Sequence, residues 1–146
     1  MTNTKTPSFD LASLDTIAAC NVPCEIEIQH PVTMEKTGIF ISVVGKDSDV
    51  YRDRIKALAN ENLARDAARR GKQERPDIDK MEAKSIDVLV ASTVAWRSAN
   101  TPGQVMLDGD ALDFSPDNAH KIYNRILPIR EQVQEAINDL ENFMRK

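Results

Sequence analysis

Residues 107–117 read LDGDALDFSPD, and the aspartates Asp108, Asp110, Asp113 and Asp117 put a dense set of oxygen donors in one short stretch. Such a set suits a hard cation if its spacing is right. A calcium loop of the EF-hand type needs oxygen ligands at alternate positions, glycine at the sixth and a bidentate glutamate at the twelfth. Counted from Asp108, the fifth residue is Leu112, the sixth Asp113 and the twelfth Ala119, so the pattern fails. The residues fit structural roles instead. Asp108-Gly109 between QVML and ALDF is a hairpin turn signal. Ser115 followed by Pro116 reads as a helix N-cap with proline in the first turn, and Asp117 lies near the positive helix end. Asp113 is left as a surface strand residue.

Other chemistry-bearing residues are sparse. Cys20 and Cys24 stand in CNVPC, whose three intervening residues match neither the redox C-x-x-C pattern nor the usual zinc knuckle spacing, so both read as packed free thiols. His30 and His120 lie far apart, and His120 falls among polar neighbours of an expected helix, where a solvated or capping role suits it. No Gly-rich phosphate loop, H-E-x-x-H or G-x-S-x-G occurs. These residues assign no catalytic site, no metal and no cofactor.

Composition narrows the partners. The formal net charge of −4 argues against sequence-independent binding to a phosphate backbone, which needs a concentrated basic surface. No apolar run approaches the ~20 residues that span a bilayer, and MTNTKTPSFD lacks the apolar core of a signal peptide, so neither nucleic acid nor membrane is expected and a cytosolic location is. With 41% apolar and 29% charged residues over 146 positions, the chain suits one helix-rich domain with a modest core.

The elements that position these residues follow from periodicity. Residues 1–8 read as a mobile lead-in. Phe9 to Ala19 places Leu11, Leu14, Ile17 and Ala18 on one face, predicting one short helix capped by Asp10 or Ser13. CEIEIQH alternates with a period of two and predicts a strand; after Pro31 and Gly38, IFISVV supplies its antiparallel partner. A lone hairpin is marginal in water, so it must pack on helices, pair with another strand or lend its edge to a partner. Asp47 or Ser48 then caps a long helix to about Arg70, with Tyr51, Ile55, Leu58, Ala59 and Leu63 at helical spacing.

Residues 71–77 read as an exposed connection. The basic run Arg65, Arg69, Arg70, Lys72 and Arg75 beside it suits either an acidic partner or the negative helix end. From Asp77 to about Ser98 the stripe Ile78, Met81, Ile86, Leu89, Val90, Thr93 and Val94, leading to Trp96, predicts a central core helix. In the last segment Ile129, Val133, Ile137, Leu140 and Met144 form a helical seam, which Pro128 separates from a shorter helix. The expected fold is α+β, predominantly α-helical, with about four helices, an N-terminal β-hairpin and a second short hairpin near 104–114, in a single domain over 9–146. Whether the two hairpins share one sheet is open at this point.

The order of these pieces carries a resemblance. FDLASLD, then CEIEIQHPVTMEKTGIFISVVGKDSDVYR, a charged helix, STVAWR, and finally LDGDALDFSPDNAHKIYNRILPIREQVQEAI with the terminal Asn142-Phe143 resemble tail assembly chaperones of long-tailed bacteriophages. The likeness is strongest at Trp96-Arg97, Asp108-Gly109, Phe114 to Ala119 and Ile129 to Val133. It implies a small, largely helical, non-enzymatic protein of the host cell cytoplasm. Such a protein binds the tape measure protein, keeps its long helices soluble, and helps tail tube subunits polymerise around it before leaving. The resemblance also implies two lengths made by frameshifting, with an end at Lys146 matching the shorter form. The tail tube protein is a second candidate partner, and a homo-oligomer is compatible.

A chaperone for apolar helices needs accessible apolar surface on a charged body. The candidate partner-binding residues are Trp96, Ile129, Val133, Ile137, Leu140 and Phe143, each of which also suits an inward-facing core position. Two competing readings are a structural tail component or completion protein retained in the virion, which would use the hairpin edge, and a small metal-dependent hydrolase built on Asp108 or the cysteines.

Overall fold

The computed structural model describes residues 8–68 and 77–144. The expected lead-in therefore lies, but for Ser8, outside the described residues. So do the connection 71–77, apart from Asp77, and the basic run, apart from Arg65.

The N-terminal stretch departs from the single helix expected. Asp10 accepts the Ala12 N–H (2.9 Å) and starts a 3-10 turn over Leu11–Leu14; Asp15 then accepts the Ala18 N–H (3.1 Å) and caps a separate helix α1, Thr16–Cys20. An aspartate inside an apolar run bonds the backbone ahead of it and restarts the helix. The expected period-two pair forms as strands β1, Cys24–Gln29, and β2, Lys36–Val43, antiparallel with Ile26 opposite Ile41. His30 shapes their connection, its Nδ1 accepting the N–H groups of Val32 (3.1 Å) and Thr33 (3.2 Å).

Helix α2 spans Asp49–Ala68, with the Ser48 hydroxyl accepting the Tyr51 N–H at 3.2 Å. Helix α3 begins on the Asp77 cap and covers Ile78–Ser92, but it does not run on to Ser98. Thr93–Ser98 instead form strand β3, which pairs antiparallel with the free edge of β2 and sets Trp96 opposite Ile41. Two effects end the helix. The Ser92 and Thr93 hydroxyls donate back to the Val88 (2.9 Å) and Leu89 (2.7 Å) carbonyls, and the β2 edge gains a ladder that a longer helix would leave empty.

Strands β4, Gln104–Leu107, and β5, Asp110–Asp113, make the second hairpin as a separate two-stranded sheet, so the hairpins do not share one. Its turn holds Asp108 at φ 53° and Gly109 at φ 85°, the left-handed pair that a tight hairpin requires. Ser115 caps helix α4, Pro116–Arg125, by accepting the Asn118 N–H at 3.1 Å. Pro128 falls in the first turn of helix α5, Leu127–Asn138. There the expected seam breaks: Asp139 accepts the Glu141 N–H (3.0 Å) and starts a last turn, α6, Glu141–Met144, so Leu140 is not on α5.

The fold is α+β with helix predominant. One face of the three-stranded sheet, with Ile28, Ile41, Val43 and Trp96, packs against Ile86 and Leu89 of α3, Tyr123 of α4 and Val133 and Ile137 of α5. The other face carries Glu25, Phe40 and Arg97. The Arg97 guanidinium lies 4.0 Å over the Phe40 ring and donates twice to Glu25 (2.9 and 2.7 Å).

Candidate partner-binding site

Three of the four aspartates, Asp108, Asp113 and Asp117, have structural roles within the chain itself. Both Asp108 carboxylate oxygens accept from the Arg125 guanidinium, and that bond holds the carboxyl below its usual range. Asp113 accepts from the Gln104 amide (2.8 Å), and Asp117 sits in the first turn of α4. Among the described residues no three His, Cys, Asp or Glu side chains are grouped as a metal ion would need. Cys20 is buried and Cys24 half-buried; burial pushes both thiols up, which suppresses the thiolate that nucleophilic chemistry needs. His120 faces Asp87, its Nε2 at 3.8 Å, while Arg54 Nε donates to the same carboxylate at 2.6 Å.

The six residues singled out in sequence do not form one surface. Trp96, Val133 and Ile137 are core residues, at most 3% exposed. Trp96 donates its indole N–H to the Leu112 carbonyl (3.1 Å) and meets Phe114 edge to face, ring centres 5.1 Å apart, which ties the second hairpin to the sheet. Ile129 lies with Trp96 around a small cavity of about 150 Å³ behind β4. Leu140 and Phe143 are half-buried. A Cβ built on Gly45 would stand 3.0 Å from the Phe143 ring, which places that ring against Gly45, away from the Trp96 cavity.

The open apolar surface lies elsewhere. Helix α2 buries no residue, and Ile55 remains 45% exposed. Between α2 and α3 runs a groove of about 330 Å³, walled by Tyr51, Ile55 and Leu58 on one side and Met81 and Val88 on the other, with Ile137 of α5 in its floor. Met81 is 62% exposed. Among the described residues Lys84 is the one charged side chain in that lining, held by a hydrogen bond to Asn62. Two helices with an apolar trough and a rigid floor are the geometry that accepts the apolar face of a third helix.

Periodicity puts Ile55, Leu58 and Met81 on inward stripes and so misses the groove; Leu89, on the same α3 stripe, is buried as expected. The available signal was the thinness of the α2 stripe, a single line of apolar residues on an otherwise charged helix. A second groove, about 450 Å³, separates β1 from α5, but Glu27, Glu131, Glu135 and Asp139 make it polar. Gln132 partly closes it, accepting the Gln29 N–H (2.9 Å) and donating to the Gln29 carbonyl (2.8 Å).

These features define an α+β domain with an open helical trough. Compared with known proteins, the chain matches no family model, no curated protein and no solved structure. No helix among the described residues is long and apolar enough to cross a membrane.

Proposed function

We propose that this protein is a non-catalytic tail assembly chaperone of a long-tailed bacteriophage. It acts in the host cytoplasm, holds an amphipathic helix of the tape measure protein and presents it for tail tube polymerisation. The sequence resemblance supplies the client. The observation that carries the reading is the α2–α3 trough, whose apolar walls stay open on a charged body. Exposed apolar surface of this kind marks an interaction site, and a reversible helix-in-groove contact suits a chaperone that must later leave.

The competing reading, a tail component retained in the virion through its hairpin edge, has less of that edge to use, because Gln132 already occupies both backbone groups of Gln29. Co-expression with the tape measure protein, followed by size-exclusion chromatography with light scattering, tests the proposal. A soluble complex lost in Ile55→Glu plus Met81→Glu, while the variant keeps its circular dichroism, supports a chaperone using this trough. Separate elution, with the client precipitating as it does alone, removes the reading. Mass spectrometry of purified virions then distinguishes a departing chaperone from a retained component.

A further inference from the structure

The N-terminal stretch folds against the body yet keeps its apolar face outside. Phe9, Leu11, Leu14 and Ile17 are 70%, 76%, 58% and 41% exposed, whereas Cys20 at its end is wholly buried. The stretch is fastened there. The Cys20 carbonyl accepts the Gly45 N–H (2.9 Å), and Asn21 exchanges two hydrogen bonds with Asp49, accepting its N–H (2.8 Å) and donating to its carboxylate (3.1 Å). A segment anchored at one end, with its large side chains turned to solvent, is built to cover something other than its own core.

We infer that residues Phe9–Ile17 of one copy dock in the α2–α3 trough of a second copy, so that the protein forms a two-fold dimer by reciprocal exchange of this contact. Leu11 and Leu14 stand at the two ends of the 3-10 turn and Ile17 in the first turn of α1, three exposed apolar side chains within one short stretch. Charge agrees as well: FDLASLDTIAAC carries Asp10 and Asp15 and no cation, while among the described residues the charged side chain lining the trough is Lys84. Placement agrees too. Asn21 fastens the segment to Asp49, and Tyr51, in the same first turn of α2, opens the trough. Donor and acceptor surfaces thus begin side by side, and one two-fold axis between copies brings each segment to the other's trough in a single self-complementary interface. Reciprocity doubles the covered area.

The inference concerns this chain alone and stands whether or not the trough also takes a client. If it takes a client, the segment competes with it, and the dimer is the resting state that the client opens.

Sedimentation velocity of the full chain over a wide concentration range tests the dimer. The wild-type chain should show concentration-dependent dimerisation. Leu11→Glu plus Leu14→Glu, both at exposed positions, should raise the dimer dissociation constant at least about tenfold with unchanged circular dichroism. Ile55→Glu, which lines the trough wall with a like charge, should do the same. Mixing these two variants restores one of the two contacts, because each retains what the other lacks. The mixture should therefore dimerise more tightly than either variant alone and less tightly than wild type. A chain that stays monomeric throughout, a dimer indifferent to the N-terminal variant, or a mixture no tighter than its components would overturn the inference. Leu11→Glu plus Leu14→Glu leaves the trough walls intact and should still hold the tape measure protein. Failure of that complex with an intact wild-type dimer counts against the chaperone reading and not against the exchange.

Discussion

The phenol oxygen of Tyr123 lies 2.6 Å from the hydroxyl of Thr93, inside the core and at the residue where α3 gives way to β3. Thr93 has one proton and donates it to the Leu89 carbonyl at 2.7 Å, so the Tyr123 O–H is the donor of the pair. The Leu89 carbonyl belongs to the last turn of α3 and has no partner within the helix. A relay from α4 through Thr93 to α3 thus holds the helix-to-strand switch. Thr93→Val keeps the shape but leaves both the phenol and the carbonyl unpaired in the core, whereas Tyr123→Phe strands only an acceptor lone pair. Thr93→Val should therefore cost about 2–4 kcal/mol and Tyr123→Phe about 1 kcal/mol. The double variant should fall short of their sum. Urea unfolding of the three variants checks the order, and a Tyr123→Phe variant less stable than Thr93→Val would refute the assigned donor.

Burial pushes the Tyr123 phenol up to about 12. The folded value lies above the ordinary value of about 10, so the native state holds this proton more tightly than the unfolded chain does. The stabilisation is fully present below pH ~10 and is lost as pH rises toward and through 12. The gap is worth about 3 kcal/mol at its limit. Tyrosinate absorbance followed against pH should show a late step that coincides with loss of circular dichroism. That step should vanish in Tyr123→Phe. A phenol that ionised near pH 10 in the folded protein would contradict its enclosure.

Placement in the core or on the trough separates two sets of apolar residues that look alike in sequence. Val133 and Ile137 are at most 1% exposed, so Val133→Asp or Ile137→Asp introduces an unpaired buried carboxylate and should prevent folding. Ile55→Glu and Met81→Glu put the charge in water and should change stability by no more than about 1 kcal/mol each. Thermal melts of the four single variants make the comparison. Melting temperatures of the Ile55 and Met81 variants as depressed as those of the core pair would show that the trough is closed in solution.

Much of the architecture was legible because its signals are local. The alternation in CEIEIQH, the left-handed pair Asp108-Gly109, the Ser115-Pro116 cap and the first-turn Pro128 each fix a geometry within a few residues. The switch at Thr93 was not legible. Val90, Thr93 and Val94 continue the helical stripe of α3, and what turns them into a strand is the distant β2 edge, with Ile41 facing Trp96. The placement of the candidate partner-binding residues was not legible for the same kind of reason. Periodicity shows that Ile55, Met81, Val133 and Ile137 lie on apolar faces, but α5 can fill only one place between its neighbours. It buries Val133 in the core and leaves α2 and α3 with an uncovered trough. The N-terminal stretch broke the rule in the opposite sense: its stripe is regular, yet Asp15 restarts the helix and only Cys20 reaches the core.

That single anchor makes Gly45 decisive. The Cys20 side chain occupies the space where any other residue at position 45 would carry its Cβ, which would stand 2.8 Å from the Cys20 Cβ and closer still to its Sγ, with the Phe143 ring 3.0 Å away on the far side. The Gly45 N–H is tied to the Cys20 carbonyl and α1 packs on α6, which limits how far Cys20 can yield. Gly45→Ala should therefore destabilise by about 1–3 kcal/mol, and it should do so by lifting α1 from the body. Cys20→Ala removes the sulfur that crowds most and leaves the 2.8 Å approach to the Cβ at position 20, so the clash is partly relieved and the double variant should be more stable than the sum of the singles implies. Thiol labelling in a Cys24→Ser background reads the same event directly. Cys20 is buried and its thiol is pushed up, so it should react slowly in the parent and much faster in Gly45→Ala. A Gly45→Ala protein with parental stability and a Cys20 still protected from labelling would mean that the N-terminal segment is not held by this contact.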